Sequence, residues 1–334
     1  MTGAQELTEA EALRRRKIGF LLIALTAMSY STTEVSIKSL SGAFGVMQLT
    51  VLRVLAGGLL LLPFAIRHLR RAGITVGRRD FGKFAALGFV SVALHMTFLQ
   101  LSLNAMDASA VAAIYSGNPI FAAVFAHFLL KEPLRRRNVC ALLLEITGIL
   151  LILNPFHMQI SPAGFVDILL ATVAFALYGT FSQVSVRTYG SIPIACFVLL
   201  SGGLELLAAT LLGRIPSVAA VYTSLHLDIF VNVSFFTGFT LKNTLIFLYV
   251  CTVVTGGGYL LLTKAVEYTS ATEASFVYLF KPLVATAFSV CLLGETVPAN
   301  QVAGLGFFTA ASLTAIVPVL LEMRRAGNRL APGR

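Results

Sequence analysis

Charge is scarce in this 334-residue chain: 12% of its residues are Asp, Glu, Lys or Arg, against 57% hydrophobic. No water-solvated surface can be assembled from that remainder, so lipid is the implied solvent. Cysteine is limited to Cys140, Cys196, Cys251 and Cys291, each inside an apolar run, with no CxxC spacing and no neighbouring His cluster. No metal site is expected from them, and no cofactor. A GxxxxGK[ST] loop is missing, so ATP is not the energy source; HExxH and GxSxG are missing too. A nucleic-acid partner is not expected.

What is present is a series of long apolar runs, continuous rather than alternating. An unpaired backbone amide costs several kcal/mol in hydrocarbon, so continuous runs select helices over a barrel. The first run follows Arg14, Arg15, Arg16 and Lys17 and resembles a signal peptide, but it is about 20 residues long and lacks a small-residue cleavage site. It reads as a retained helix. At roughly 20 residues per crossing, ten transmembrane helices are predicted: 18–40, 45–66, 81–103, 108–130, 138–154, 163–188, 191–212, 244–265, 271–293 and 300–321. Residues 1–17 and 322–334 flank them, and 213–243 reads as an external loop with an interfacial helix.

Basic residues concentrate in cytoplasmic loops. With the N-terminus inside, twenty of the 25 Lys and Arg residues fall inside, Arg214 and Lys242 fall outside, and Lys38, Arg53 and Lys281 lie within helices. Both termini are then cytoplasmic. An eleventh span in 213–243 would carry the basic tail outside, against the charge rule.

The chain also repeats itself. At an offset of 163, residues 108–132 align without a gap on 271–295, matching Tyr115, Pro119 and Glu132 with Tyr278, Pro282 and Glu295. EVSIK (34–38) meets QVSVR (183–187), and Gly57 and Gly58 meet Gly202 and Gly203. Five helices per repeat is an odd number, so the halves enter the membrane from opposite sides. Charge agrees: Glu132 lies in the basic KEPLRRR and Glu295 in GETVPAN, which has no Lys or Arg.

The mid-helix proline with a terminal KE or GE, the glycine-containing helix that follows, and Arg53 early in helix 2 resemble the drug/metabolite transporter superfamily, in its ten-helix form with two EamA-type domains. The resemblance covers 18–321. It implies an all-α membrane protein of two inverted five-helix repeats, 18–154 and 163–321. It further implies an exporter or exchanger of small metabolites with a cavity between the halves, residing in a plasma membrane, the bacterial inner membrane. Where many relatives carry a W-G-S-N-like stretch, this chain reads SYSTTEVSIK, which implies a subfamily with its own selectivity.

Charges inside a bilayer cost roughly 2.5 to 3.5 kcal/mol on insertion scales, so retained ones face a partner or a wet cavity. Glu34 and Lys38 share a helix face, and Glu34 and Arg53 lie roughly 9 and 12 Å from the outer end. They form either an ion-pair knot or a charged outer cavity. Lys281 lies roughly 15 Å from either face and is expected to line the cavity. Pro119 and Pro282 are expected to kink their helices and free the carbonyls of Tyr115 and Tyr278. Asn118 and Lys281 precede them as unlike occupants of equivalent positions. Tyr115, Tyr278 and Tyr259, the last after a Gly256–Gly258 run, complete the candidate substrate site. Glu205, Glu145 and His95 are candidates for proton coupling or for structural pairing, and His127 for relay or packing.

The leading reading is a secondary transporter of amino-acid-like metabolites working by alternating access, as a monomer or homodimer. An intramembrane enzyme, an uptake permease and a receptor are the alternatives.

Overall fold

In a computed structural model the described residues are 3–40, 42–106, 108–133, 136–153, 161–293 and 297–330; within these, the side chains of 3–8, 34, 35, 38, 108, 109, 289, 292, 293, 320 and 327–330 are left undescribed. Among the described residues the chain is helical and contains no strand. The helices are α1 (Gly3–Leu40), α2 (Val46–Ala72), α3 (Arg78–Ala105), α4 (Ala108–Tyr115), α5 (Asn118–Leu130), α6 (Arg136–Leu153) and α7 (Pro162–Tyr189). There follow α8 (Ser191–Leu212), α9 (Pro216–Ser224), α10 (Leu241–Tyr268), α11 (Ala271–Ala274), α12 (Val277–Leu293) and α13 (Ala299–Leu330).

Seven helical stretches among the described residues are long and apolar enough to cross a membrane: Val46–Ala72, Arg78–Ala105, Ala110–Leu130, Pro162–Tyr189, Ser191–Leu212, Leu241–Tyr268 and Ala299–Ala326. The other three predicted spans are helical as well, within α1, α6 and α11–α12. The nine-residue α9 is too short to cross and lies in the segment read as an external loop.

Local chemistry sets the ends. The Ser161 hydroxyl accepts the Gly164 N–H at 3.4 Å and Pro162 occupies the first turn of α7. Gly73 closes α2 at φ 65°, a left-handed conformation that costs glycine nothing. Lys131 takes φ 57° to close α5, and the Glu132 N–H then bonds the Ala126 carbonyl at 3.1 Å.

The two segments predicted as unbroken helices at 108–130 and 271–293 are both interrupted. Before Pro119 the chain tightens at Ser116–Gly117, with the Ile120 N–H on the Gly117 carbonyl at 3.1 Å. Pro119 therefore sits in the first turn of α5 and not at mid-helix. The second break falls at Ser275–Phe276, where the Ser275 hydroxyl bonds the Thr272 carbonyl at 2.7 Å and competes with the helical ladder. Pro282 lies inside α12.

Packing crosses the halves throughout. α2 runs along α8, α6 along α13, α3 and α5 along α7, and α1 along α10 and α12. Glycine makes this possible: a Cβ at Gly202 would stand 2.5 Å from the Gly88 carbonyl oxygen, and one at Gly57 would stand 2.9 Å from the Gly256 nitrogen. At these contacts α3 and α10 each widen into a π-helical turn, Phe89–Leu94 and Val250–Gly257. The 163-residue register carries the first segment into the second.

Candidate functional site

Between the halves lies a cluster of aromatic rings. His95 stacks on Tyr115 with centroids 5.5 Å apart, and Tyr115 meets Tyr278 edge-on at 5.4 Å. Phe175 stands among them, 4.7 Å from His95, 5.9 Å from Tyr278 and 6.2 Å from Tyr259. Tyr178 closes the group at 6.1 Å from Tyr259. Two cations border the rings. Lys281 Nζ lies 5.8 Å from the Tyr115 centroid, within cation–π range. Arg53, 8% exposed, reaches Thr255 Oγ1 and Met96 Sδ, each at 3.4 Å.

The π turns supply this cluster with backbone acceptors. The Ser91 carbonyl, freed inside the first π turn, accepts both His95 Nδ1–H at 3.0 Å and the Tyr259 hydroxyl at 3.3 Å. A carbonyl cannot donate, so His95 carries its proton on Nδ1 and offers Nε2 as an acceptor. Among the described residues, four buried polar atoms here have no hydrogen-bond partner: Tyr30 Oη, Arg53 Nε, Ser91 Oγ and His95 Nε2. Three can donate and one accepts. Buried polar groups are ordinarily satisfied, and leaving one unpaired costs about 1 to 3 kcal/mol. Together they give the aromatic cluster three donors and one acceptor beyond the bonds that hold it.

A family model of EamA-like transporters matches residues 17–154 and again 163–317. The chain belongs to the EamA-like transporter family. Its matched segments coincide with the two repeats, so this EamA-like transporter is a multi-pass membrane protein, as its apolar helices indicate. It is 30% identical to an uncharacterized transporter of Clostridium kluyveri, over 89% of this chain and 92% of the relative. It is 26% identical to an uncharacterized transporter of Archaeoglobus fulgidus, over 73% and 83% of the two chains. A solved crystal structure superposes with a TM-score of 0.68 at 15% identity, covering 92% of this chain and 98% of that one, a likeness of fold alone.

The remaining sequence-predicted residues of the transporter are spread more widely. Asn118 is buried and donates from Nδ2 to the Thr172 carbonyl at 3.2 Å, so its amide is tied to α7. The side chains of Glu34 and Lys38 and the whole of Glu295 lie outside the described residues. Glu145 is fully buried where α6 packs along α13, both carboxyl oxygens without a partner among the described residues, and Glu205 on α8 has one buried oxygen likewise. Among the described residues neither carboxylate contacts the aromatic cluster. His127 Nδ1 bonds the Glu132 carbonyl at 2.8 Å, an exposed helix-end contact.

Sequence reasoning missed Tyr30, Ser91, Phe175, Tyr178 and Thr255. A signal existed for two of them: Ser91 and Thr255 stand one residue off the repeat register, before His95 and Tyr259. The rings of α7 carried no such mark in an all-apolar run.

Proposed function

We propose that this EamA-like transporter is a secondary transporter that exports or exchanges amino-acid-like metabolites by alternating access. Ten spans in two inverted halves, both termini cytoplasmic, sit in the plasma membrane and rock about the aromatic cluster. The observation that carries this reading is the set of four buried polar atoms between the halves that have no partner among the described residues. Lys281, Arg53 Nε and the Tyr30 and Ser91 hydroxyls meet a carboxylate; His95 Nε2 accepts from an ammonium; Tyr115, Tyr278, Tyr259 and Phe175 surround the carbon frame. Asn118 sets the depth of the site opposite Lys281. Glu34 and Lys38 line the outer approach, and Glu145, Glu205 and His95 are the candidate proton carriers. The functional unit is a monomer or homodimer.

Next to the rings lies a void of about 20 Å³, lined by Asn118, Phe175, Tyr178, Ser182, Thr263 and Tyr278. That volume holds about one water. A metabolite enters once the halves part, which is the motion that alternating access requires.

The test is flux into proteoliposomes loaded with a mixture of labelled amino acids, with and without a pH gradient. Counterflow of at least one of them supports the reading. No solute movement, together with turnover of a lipid or peptide, would falsify it. Sidedness of the flux then separates export from uptake, and restored flux after exchanging the charges of Glu34 and Arg53 would favour a knot over a cavity.

A further inference from the structure

A second space opens at the basic end of the molecule, the end that carries Arg15, Arg16, Arg136 and Arg137. It is a cleft of about 400 Å³, lined by Arg16, Glu132, Arg137, Asn138, Thr272 and Glu273. Three elements border both this cleft and the void beside the tyrosines: α5, α10 and the shortest of them, α11, a single turn of four residues. Its two faces divide cleanly. Ala271, Ala274 and Ser275 line the void; Ser270, Thr272, Glu273 and Phe276 line the cleft. α11 runs into α12 through a turn at Ser275–Phe276, where the Phe276 N–H bonds the Glu273 carbonyl at 3.2 Å and the Tyr278 N–H bonds the Ser275 carbonyl at 2.9 Å, three-residue steps in place of the α-helical four.

Side chains from the other elements hold it as well. Glu132, at the end of α5, accepts Gln183 Nε2–H from α7 at 2.8 Å and the Thr272 hydroxyl at 3.1 Å on its two oxygens. Gln183 in turn accepts the Ala271 N–H on Oε1. Arg16, on the part of α1 that precedes the predicted span, pairs with Glu273. Gln183 and Thr272 are 6% and 7% exposed, so their ends of these bonds are buried, while Glu132 borders the cleft. Hydrogen bonds to a charged group are the stronger kind, and here they add to the packing of α11 against α5, α7 and α10.

We propose that α11 is the gate between the basic-end cleft and the central site, latched shut by Glu132 and Gln183. The Glu132 carboxylate is the hub, because it joins the first repeat to two elements of the second. Opening breaks its bonds to Gln183 and Thr272 and lets α11 swing about Ser275–Phe276, joining the void to the cleft. The proposal rests on the transport reading for its purpose but not for its geometry.

The test uses full-length protein in which the four cysteines are replaced and Ser275→Cys, buried at 5% exposure on the void side, is introduced. A membrane-impermeant maleimide is applied from the basic end in inside-out vesicles. With the latch intact, labelling is slow. Glu132→Ala or Gln183→Leu is expected to accelerate it about tenfold, the equivalent of one lost charge-assisted bond. Asn138→Cys, in the cleft, serves as the control and is expected to label at one rate in every background. Unchanged Ser275→Cys labelling in both latch variants would overturn the gate. Equal acceleration at Ser275→Cys and Asn138→Cys, with loss of a monodisperse detergent peak, would also overturn it, since the network would then hold the fold and not a gate. Faster labelling without any amino-acid flux would keep the gate and discard the substrate.

Discussion

Helix α3 of the first half and α10 of the second widen into a π turn at matching register, and each is met there by a glycine of the opposite half, Gly202 against Gly88 and Gly57 against Gly256. The residues that follow do not match: His95 stands after the first π turn and Tyr259 after the second, both bonded to the same Ser91 carbonyl. The mismatch continues along the next helices. Asn118 is tied to α7, while Lys281 reaches the Tyr115 ring, and the helix breaks fall at Ser116–Gly117 in one half and Ser275–Phe276 in the other. Two halves can thus share a frame, whose demands are small residues and close approach, while placing different chemistry at its centre. Recognition of an asymmetric molecule requires that difference; a pair of identical halves would present the same group twice.

The comparison breaks most severely at the frame. Gly202→Val puts a side chain where a Cβ atom alone would meet the Gly88 oxygen at 2.5 Å. Overpacking there is expected to cost about 3 kcal/mol or more and to collapse the monodisperse peak in detergent. Gly306→Val, which faces open space, is expected to leave that peak intact. The next effect in size is at the unlike pair: Lys281→Ala is expected to lower flux by about 100-fold with expression unchanged, and Asn118→Ala by about tenfold or less, measured in the same proteoliposomes. Equal losses at the two positions would mean that the asymmetry carries no selectivity.

A smaller contrast separates structure from binding. Tyr259→Phe removes a buried hydrogen bond and is expected to cost about 1 kcal/mol of stability, read from thermal unfolding. Tyr30→Phe removes a hydroxyl with no partner among the described residues, so stability is expected to hold or rise while the substrate KM increases. The smallest effect belongs to the basic end: Arg137→Ala breaks its pair with the exposed Glu322 and is expected to change stability by at most about 1 kcal/mol.

Much of the fold was legible because lipid imposes simple rules. Continuous apolar runs could only be helices, and the predicted spans are helical over their described residues apart from the breaks at Ser116–Gly117 and Ser275–Phe276. Helix ends ran past the predicted limits, as in α1 and α13, because a helix can continue beyond the apolar run into charged sequence. The breaks before Pro119 and at Ser275 were harder to place. Proline marks a missing bond but not the turn at which the chain resolves it, and a serine that bonds its own backbone has no distinctive pattern in an apolar run.

The sequence by itself determined the solvent, the helical class, the repeat with its inverted charge, and a short list of polar residues that lipid would not tolerate without purpose. All of these follow from local composition and from comparing the chain with itself. Only the tertiary structure decided which of those residues meet. It placed Lys281, Arg53, Tyr115, Tyr259, Tyr278 and His95 around Phe175, left Glu145 and Glu205 outside that group, and set Gln183 of the second half on Glu132 of the first. The reason is that contacts between halves depend on helix rotation and crossing, and these are set by where glycines let backbones approach and by where π turns shift the face a helix presents.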